Sequence, residues 1–316
     1  MLGKIAKDTL NEYKDKVLER LLKRIQNTDK LTHSAKSKLV PKWESKNPDT
    51  SKIEELLLSE PKELLDYNSK LMADLNRLRK KNRPSNKELL EVFDYDGVFN
   101  NTSKSIAFWL SKKIGKNTCT YCNRQYIFTI VRNGGRNKND RIARPCFDHY
   151  FPKSKYPLLS LSIYNLIPSC SLCNSSLKGG VEMNLNEYIH PYVPEPSGIN
   201  FSFKLDYTYK PHSKWELRLD REDGSKEDNT IKAFALDEIY SMHNDLEVND
   251  IIHFLMAYPE GYISLLMDKL IGDSTKLSRL DVYRMLFGTE LETDKFLDRP
   301  LSKMKYDILK SFGVIK

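Results

Sequence analysis

Long apolar runs are missing from this 316-residue sequence. The longest, "IIHFLMAY" at 251–258, falls far short of the roughly 20 residues that cross a bilayer, so a membrane-spanning helix is excluded. The opening "MLGKIAKDTLNEYKDK" lacks the apolar h-region of a secretory signal. The expectation is a cytoplasmic protein whose thiols stay reduced. Cysteine is sparse too: there are five, which in that compartment read as metal ligands or buried thiols rather than disulfide partners. No internal repeat stands out. Acidic residues are outnumbered, 43 against 51 Lys plus Arg, leaving a net charge of +8. Such a chain attracts polyanions, of which nucleic acid is the commonest, although an ordinary Lys-rich surface fits the same numbers. What is present, 40% hydrophobic and 10% aromatic residues, argues for a packed core and against disorder.

Residues 1–104 read as a helical, charged N-terminal region. In "IAKDTLNEYKDKVLERLLKRIQ" the residues Ile5, Leu10, Tyr13, Val17 and Leu21 recur at helical spacing. "SKIEELLLSEPKELLDYNSKLMADLNRLRKKNR" reads as further helix, opened by a Ser51 cap and interrupted near Pro61. Two more helices follow around a turn, the second stopped by Gly115. The character then changes: "QYIFTIVRNGGRNKNDRIARPCF" is a β-hairpin pattern around a Gly-Gly turn. A Pro-rich stretch, "HPYVPEPSG", marks a boundary near 192. Residues 193–316 then read as two short strands, "INFSFKLDYTY" and "KWELRLD", followed by helices that include "ISLLMDKLIG".

Four cysteines form two pairs, Cys119/Cys122 in "CTYC" and Cys170/Cys173 in "CSLC". Two intervening residues let both thiolates of one tight turn reach a single tetrahedral zinc. Together the pairs predict one structural four-cysteine site, with a folded unit between its halves. A redox CxxC is the weaker alternative, because no thioredoxin-like βαβ pattern surrounds either pair. Cys146 is expected to be a small buried residue. A closed site of four thiolates leaves no open coordination position, so any chemistry needs another centre.

That centre is sought in "FDHYFPKSKYPLLSLSIYNLIPSCSLCNSSLKGG" (147–180), which runs Asp148–His149, then Asn165, then Asn174 directly after Cys173. Phosphodiester cleavage needs a nucleophile made from water, for which a neutral imidazole is the natural base near neutral pH. It also needs relief for charge developing on phosphate and leaving oxygen, which one hard divalent cation supplies. Such a cation prefers carboxylate and amide oxygens, and Asp148 and Asn174 offer one of each. The ordered set, with "CTYCNRQYI" before it and "YIHPY" after it, resembles the ββα-metal (HNH) endonucleases in the variant nested in a zinc-cysteine cage. It is similar in particular to stand-alone bacterial enzymes of anti-phage defence modules such as Septu, which act beside an ATPase. The resemblance covers residues 105–192.

It implies an α+β fold: a ββα-metal core with a four-cysteine zinc site, embedded in mainly helical N- and C-terminal regions. It implies a strand ending at Asp148–His149, a second strand near Asn165–Pro168 and a short helix carrying Asn174. His149 would be the base, Asp148 and Asn174 would hold magnesium or manganese, and Asn165 would brace the loop carrying the histidine. The implied activity is nucleic-acid hydrolysis, DNA before RNA, under control of a regulatory protein partner such as an ATPase. The basic hairpin residues Arg136, Lys138 and Arg141, with Lys153, Lys155 and Lys178, are the candidate phosphate contacts. Lys178 stands four residues after Asn174, where the family often has lysine at three. His33, His212, His243 and His253 lie in the flanks without metal-ligand spacing, and His190, in "YIHPY" within the resembling window, reads as a structural hydrogen-bonding residue. The competing reading is a zinc-stabilised nucleic-acid-binding or scaffold module with absent or latent cleavage.

Overall fold

A computed structural model describes residues 2–100, 105–132, 134, 138–193, 202–208, 214–257, 265, 269 and 278–315. Arg136, His212, the stretch 194–200 of the Pro-rich boundary and most of "ISLLMDKLIG" lie outside the described residues; of Lys138 only the backbone is described.

Helix α1 (Lys7–Asn27) buries Thr9, Tyr13, Val17, Leu21 and Ile25, one every four residues. That spacing puts a single apolar stripe on one face. Each large side chain on it contributes about 1.5–3 kcal/mol by leaving water. The N-terminal region assembles around this stripe: α2 (His33–Leu39), α3 (Ser51–Leu58), α4 (Pro61–Asn76), α5 (Asn86–Val92) and α6 (Ile106–Ile114). Pro61 occupies the first turn of α4, where its missing N–H costs nothing. Gly115 ends α6 at φ +64°. One cap differs from expectation. Thr50, not Ser51, is the N-cap of α3, and Ser51 Oγ instead donates to Asp49 Oδ1 at 2.7 Å.

Among the described residues the β structure is three antiparallel pairs and an isolated bridge between Thr118 and Tyr126. Strands β1 (Ile130–Val131) and β2 (Arg141–Ala143) form the basic hairpin. β3 (Cys146–His149) pairs with β4 (Leu166–Ser169), setting Asp148 opposite Ile167 and His149 opposite Leu166. A short helix, Leu172–Leu177, wound as a π-helix, follows β4 and packs back on β3. β5 (Ser202–Thr208) and β6 (Lys214–Asp220) form the third pair. The C-terminal α-helices with described bounds are α7 (Lys226–Ala233), α8 (Leu236–Ser241), α9 (Asn249–Ala257), α10 (Arg279–Phe287) and α11 (Ser302–Ser311). No helix among the described residues is long and apolar enough to cross a membrane.

The three sequence regions share one buried core that runs from Leu2 to Ile315. Buried hydrogen bonds stitch the N-terminal helices to the loop between β3 and β4. Tyr13 donates to the Leu161 carbonyl at 2.7 Å, Ser160 Oγ to the Phe93 carbonyl at 2.6 Å, and Ser162 Oγ to the Leu56 carbonyl. The N-terminal flank therefore holds the central segment through its β3–β4 loop.

Candidate metal centre and active site

The two cysteine turns meet. All four sulfurs of Cys119, Cys122, Cys170 and Cys173 lie within 4.8 Å of one another, and all four residues are buried. A tetrahedral zinc with Zn–S near 2.3 Å needs sulfurs about 3.8 Å apart, so the cluster can hold a metal ion of that kind. Hydrogen bonds from the Cys119 thiol hold Cys170 below the ordinary thiol value and bring Cys122 down to about 7; burial raises Cys119. Cys146 is half-buried and stands outside the cluster.

Each turn has its own backbone frame. Cys119 N–H donates to the Gln125 carbonyl and Asn123 N–H to the Cys119 carbonyl, both at 2.9 Å. Asn123 takes φ +44°, a left-handed conformation that asparagine tolerates. Thr120 Oγ1 donates to the Pro168 carbonyl at 2.7 Å, docking the first turn on β4. The second turn leads directly into the Leu172–Leu177 helix, with Asn174 N–H bonded to the Cys170 carbonyl at 3.0 Å. The C-terminal region clamps the first turn from outside. Asn123 Nδ2 donates to the Phe296 and Arg299 carbonyls at 2.8 and 3.1 Å, Leu301 N–H to the Asn123 carbonyl at 2.6 Å, and Tyr240 OH to the Cys122 carbonyl at 2.6 Å.

Strand β3 ends on Asp148 and His149, whose side chains leave in opposite directions as the pleat requires. Asp148 is 5% exposed. Its Oδ2 accepts from Tyr121 OH and from Lys178 Nζ, both at 2.8 Å. Lys178 is 4% exposed and also donates to the carbonyls of His149 and Tyr150. Burial lowers its pKa from the ordinary lysine value, against the opposing pull of Asp148. This corrects the reading of Lys178 as a phosphate contact. Its ammonium spends its donors on one carboxylate and two carbonyls inside the protein, where a ligand phosphate cannot reach it.

On the other side, His149 Nε2 lies 2.9 Å from the Ser160 carbonyl. A carbonyl only accepts, so Nε2 carries the proton and Nδ1 keeps its lone pair. The Tyr95 ring packs edge-on against the imidazole at 4.6 Å. Burial lowers the His149 pKa to about 4, the Ser160 hydrogen bond opposing. The ring is neutral at pH 7. A cavity of about 650 Å³ opens beside Tyr95, Ser160 and Lys153, and its lining carries charges of both signs.

Asn165 is fully buried. Its Oδ1 accepts from Phe151 N–H at 2.7 Å, and its Nδ2 donates to the Phe151 and Leu159 carbonyls at 3.1 and 2.9 Å. One side chain thus ties together both ends of the loop after His149. Asn174 is half-buried on the short helix, with Nδ2 engaged to Ser175 Oγ at 3.3 Å.

Of the other candidates, Lys153, Lys155 and Arg141 are partly or fully exposed. Lys153 lies 5.3 Å over the Tyr95 ring and 3.9 Å from Asp96, and Lys155 pairs with Glu182. Arg141 lies 6.0 Å over the Phe108 ring. His190 is buried: Nδ1 accepts from Tyr192 N–H at 3.2 Å, and Nε2 has no partner among the described residues. Two members of the site escaped sequence reading, Tyr121 and Ser160. Tyr121 lies inside "CTYC", so its place between two metal-ligand residues was the available signal. Ser160 acts through its carbonyl, which leaves no mark in residue identity.

Compared with protein-family models, curated proteins and solved structures, the chain matches none.

Proposed function

We propose that the chain is a divalent-metal-dependent endonuclease, hydrolysing phosphodiester bonds of nucleic acid with His149 as general base. The observation that carries this reading is the fixed imidazole. Nε2–H is committed to the Ser160 carbonyl, the ring is neutral at physiological pH, and Nδ1 remains as the one basic position. A base so held accepts a proton from water as that water attacks phosphorus, and the 3′ oxygen leaves. Asn165 supports the step by fixing the loop that follows the histidine. Zinc at the four thiolates would tie the first cysteine turn to the β4–helix junction and hold Asp148 and Asn174 on facing elements without taking part in chemistry.

The donor set for a second ion fits a hard cation. Both hydrogen bonds to Asp148 fall on Oδ2, leaving Oδ1, and Asn174 engages Ser175 through Nδ2, leaving its amide oxygen. Magnesium or manganese on these oxygens would supply charge relief at the phosphoryl group. The Lys178 ammonium on the same carboxylate opposes that binding. DNA as first substrate, an ATPase partner and a place in anti-phage defence are carried by the family resemblance alone.

The same ion pair favours a second reading, a zinc-stabilised nucleic-acid-binding module, in which Asp148 is a structural anion already neutralised by Lys178. One assay separates the two. Wild-type and His149→Ala proteins, both zinc-loaded and folded, are incubated with plasmid, linear DNA and total RNA plus magnesium or manganese. The nuclease reading expects metal-dependent products from wild type and a loss of about 100-fold or more in the variant. Equal cutting by both proteins removes His149 from the mechanism, and no product from wild type at any concentration favours the binding module.

A further inference from the structure

A second cavity, about 560 Å³, lies between α1, α6 and the β1–β2 hairpin. Its charged lining is of one sign: Lys16 and Arg20 from α1, Lys112 from α6 and Arg141 from β2, with Phe108 and Trp109 between them and no carboxylate. The aromatic rings organise the cations. Lys16 Nζ stands 5.3 Å from the Trp109 ring, and the guanidinium carbons of Arg141 and Arg144 stand 6.0 and 5.9 Å from Phe108. Glu12, at Trp109 Nε1, is committed to Lys113 at 2.7 Å. Lys16 and Lys112 are exposed, and neither has a carboxylate partner among the described residues. Arg20 also donates to the Val98 carbonyl at 2.9 Å, so the exposed ammoniums of Lys16 and Lys112 are the charges the groove offers to an anion. The cavity beside Tyr95 and Ser160 differs in carrying both signs.

We propose that this groove binds the sugar–phosphate backbone of a nucleic-acid strand. A strand fits better than a free nucleotide because the positive charge continues beyond the cavity. Arg132 is exposed on the hairpin. Arg144 bonds Asn100 Oδ1 at 2.7 Å and lies 6.0 Å from the Phe147 ring, next to Asp148. Phosphates seated on Lys16 and Lys112 would therefore lead past the hairpin and along Arg144 toward the His149 centre. Contacts of this kind position a strand without reading its sequence. The inference rests on the nucleic-acid part of the proposed function and is independent of its cleavage step.

The test uses the full-length, zinc-loaded His149→Ala protein without added divalent ion. A fluorescein-labelled single-stranded oligonucleotide is titrated by anisotropy at several salt concentrations. Lys16→Glu with Lys112→Glu should weaken binding by about tenfold or more and flatten the salt slope by about 1.4, two contacts' worth for a single strand. Lys16→Gln with Lys112→Gln should move both in the same direction, and the Arg pair should keep them. Unchanged affinity and slope in the Glu variant, with thermal midpoint and zinc content intact, would overturn the proposal. So would a mononucleotide that binds as tightly as the oligonucleotide, since the groove would then be a nucleotide site. Failure of wild-type cleavage, with the groove effects present, removes only the nuclease reading.

Discussion

Asp148 is the residue on which competing demands meet. As a metal ligand it needs a free oxygen and net negative charge; as a buried group it needs a partner. Lys178 and Tyr121 meet the second demand on a single oxygen, Oδ2. Removing one member of a buried ion pair leaves the other charge uncompensated, at a cost of about 3–5 kcal/mol. Lys178→Met is therefore expected to destabilise the protein by roughly that much, and Tyr121→Phe by only about 1 kcal/mol, because its ring stays stacked on Phe234 at 4.1 Å. Chemical unfolding checks both. Asp148→Asn combined with Lys178→Met should recover part of the loss, and strictly additive costs would show that the two residues do not act as a pair.

This network marks where sequence reading stops. Asp148, His149, Asn165 and Asn174 could be named as candidates because each is a chemically apt residue at an ordered position. The fate of Lys178 was not. Lysine is almost never fully buried unless paired, and its partner lies 30 residues away, so burial is set by tertiary packing that composition does not encode.

Among the elements, β3 and β4 have only four residues each, and an isolated two-stranded pair is marginal in water. Their stability must come from outside. Besides the bonds from the N-terminal helices, Asn165 braces the loop, and the cysteine cluster joins the end of β4 and the following helix to the first turn. The paired CxxC spacing made the cluster legible from sequence. The clamp from Tyr240, Phe296, Arg299 and Leu301 was not, since three of these four act through backbone groups. Extraction by a strong chelator of a metal held there, or Cys170→Ser, should therefore act locally first. Hydrogen exchange is expected to rise in β3, β4 and the Asn123–Leu301 contact, while amides of α1, with its stripe of fully buried side chains, stay protected. A uniform rise, or none, would show that the cluster does not hold this unit.

At the scale of the whole molecule, two neutral imidazoles are locked in place while the fold stands. Burial lowers His149 to about 4 and His190 to about 3, below the roughly 6.5 of an unfolded histidine. Between those values the unfolded chain binds protons that the native state refuses. Stability therefore rises with pH across that window and is lost on acidification from about 6.5 toward 4. The proposed proton transfer would run in the same direction, since only the unprotonated His149 accepts a proton; its own titration would leave activity flat through neutrality. Thiolate ligands also take up protons in acid, so the histidine contribution must be isolated. His190→Asn does so: its amide oxygen can replace Nδ1 as acceptor for Tyr192 N–H, and it does not titrate. The variant should be less stable than wild type at pH 7, where the ring's packing against Tyr150 at 4.2 Å is lost. It should then lose less in thermal midpoint on going from pH 6.5 to 4. Parallel midpoint curves for the two proteins would mean that His190 is not one of the groups that destabilise the fold in acid.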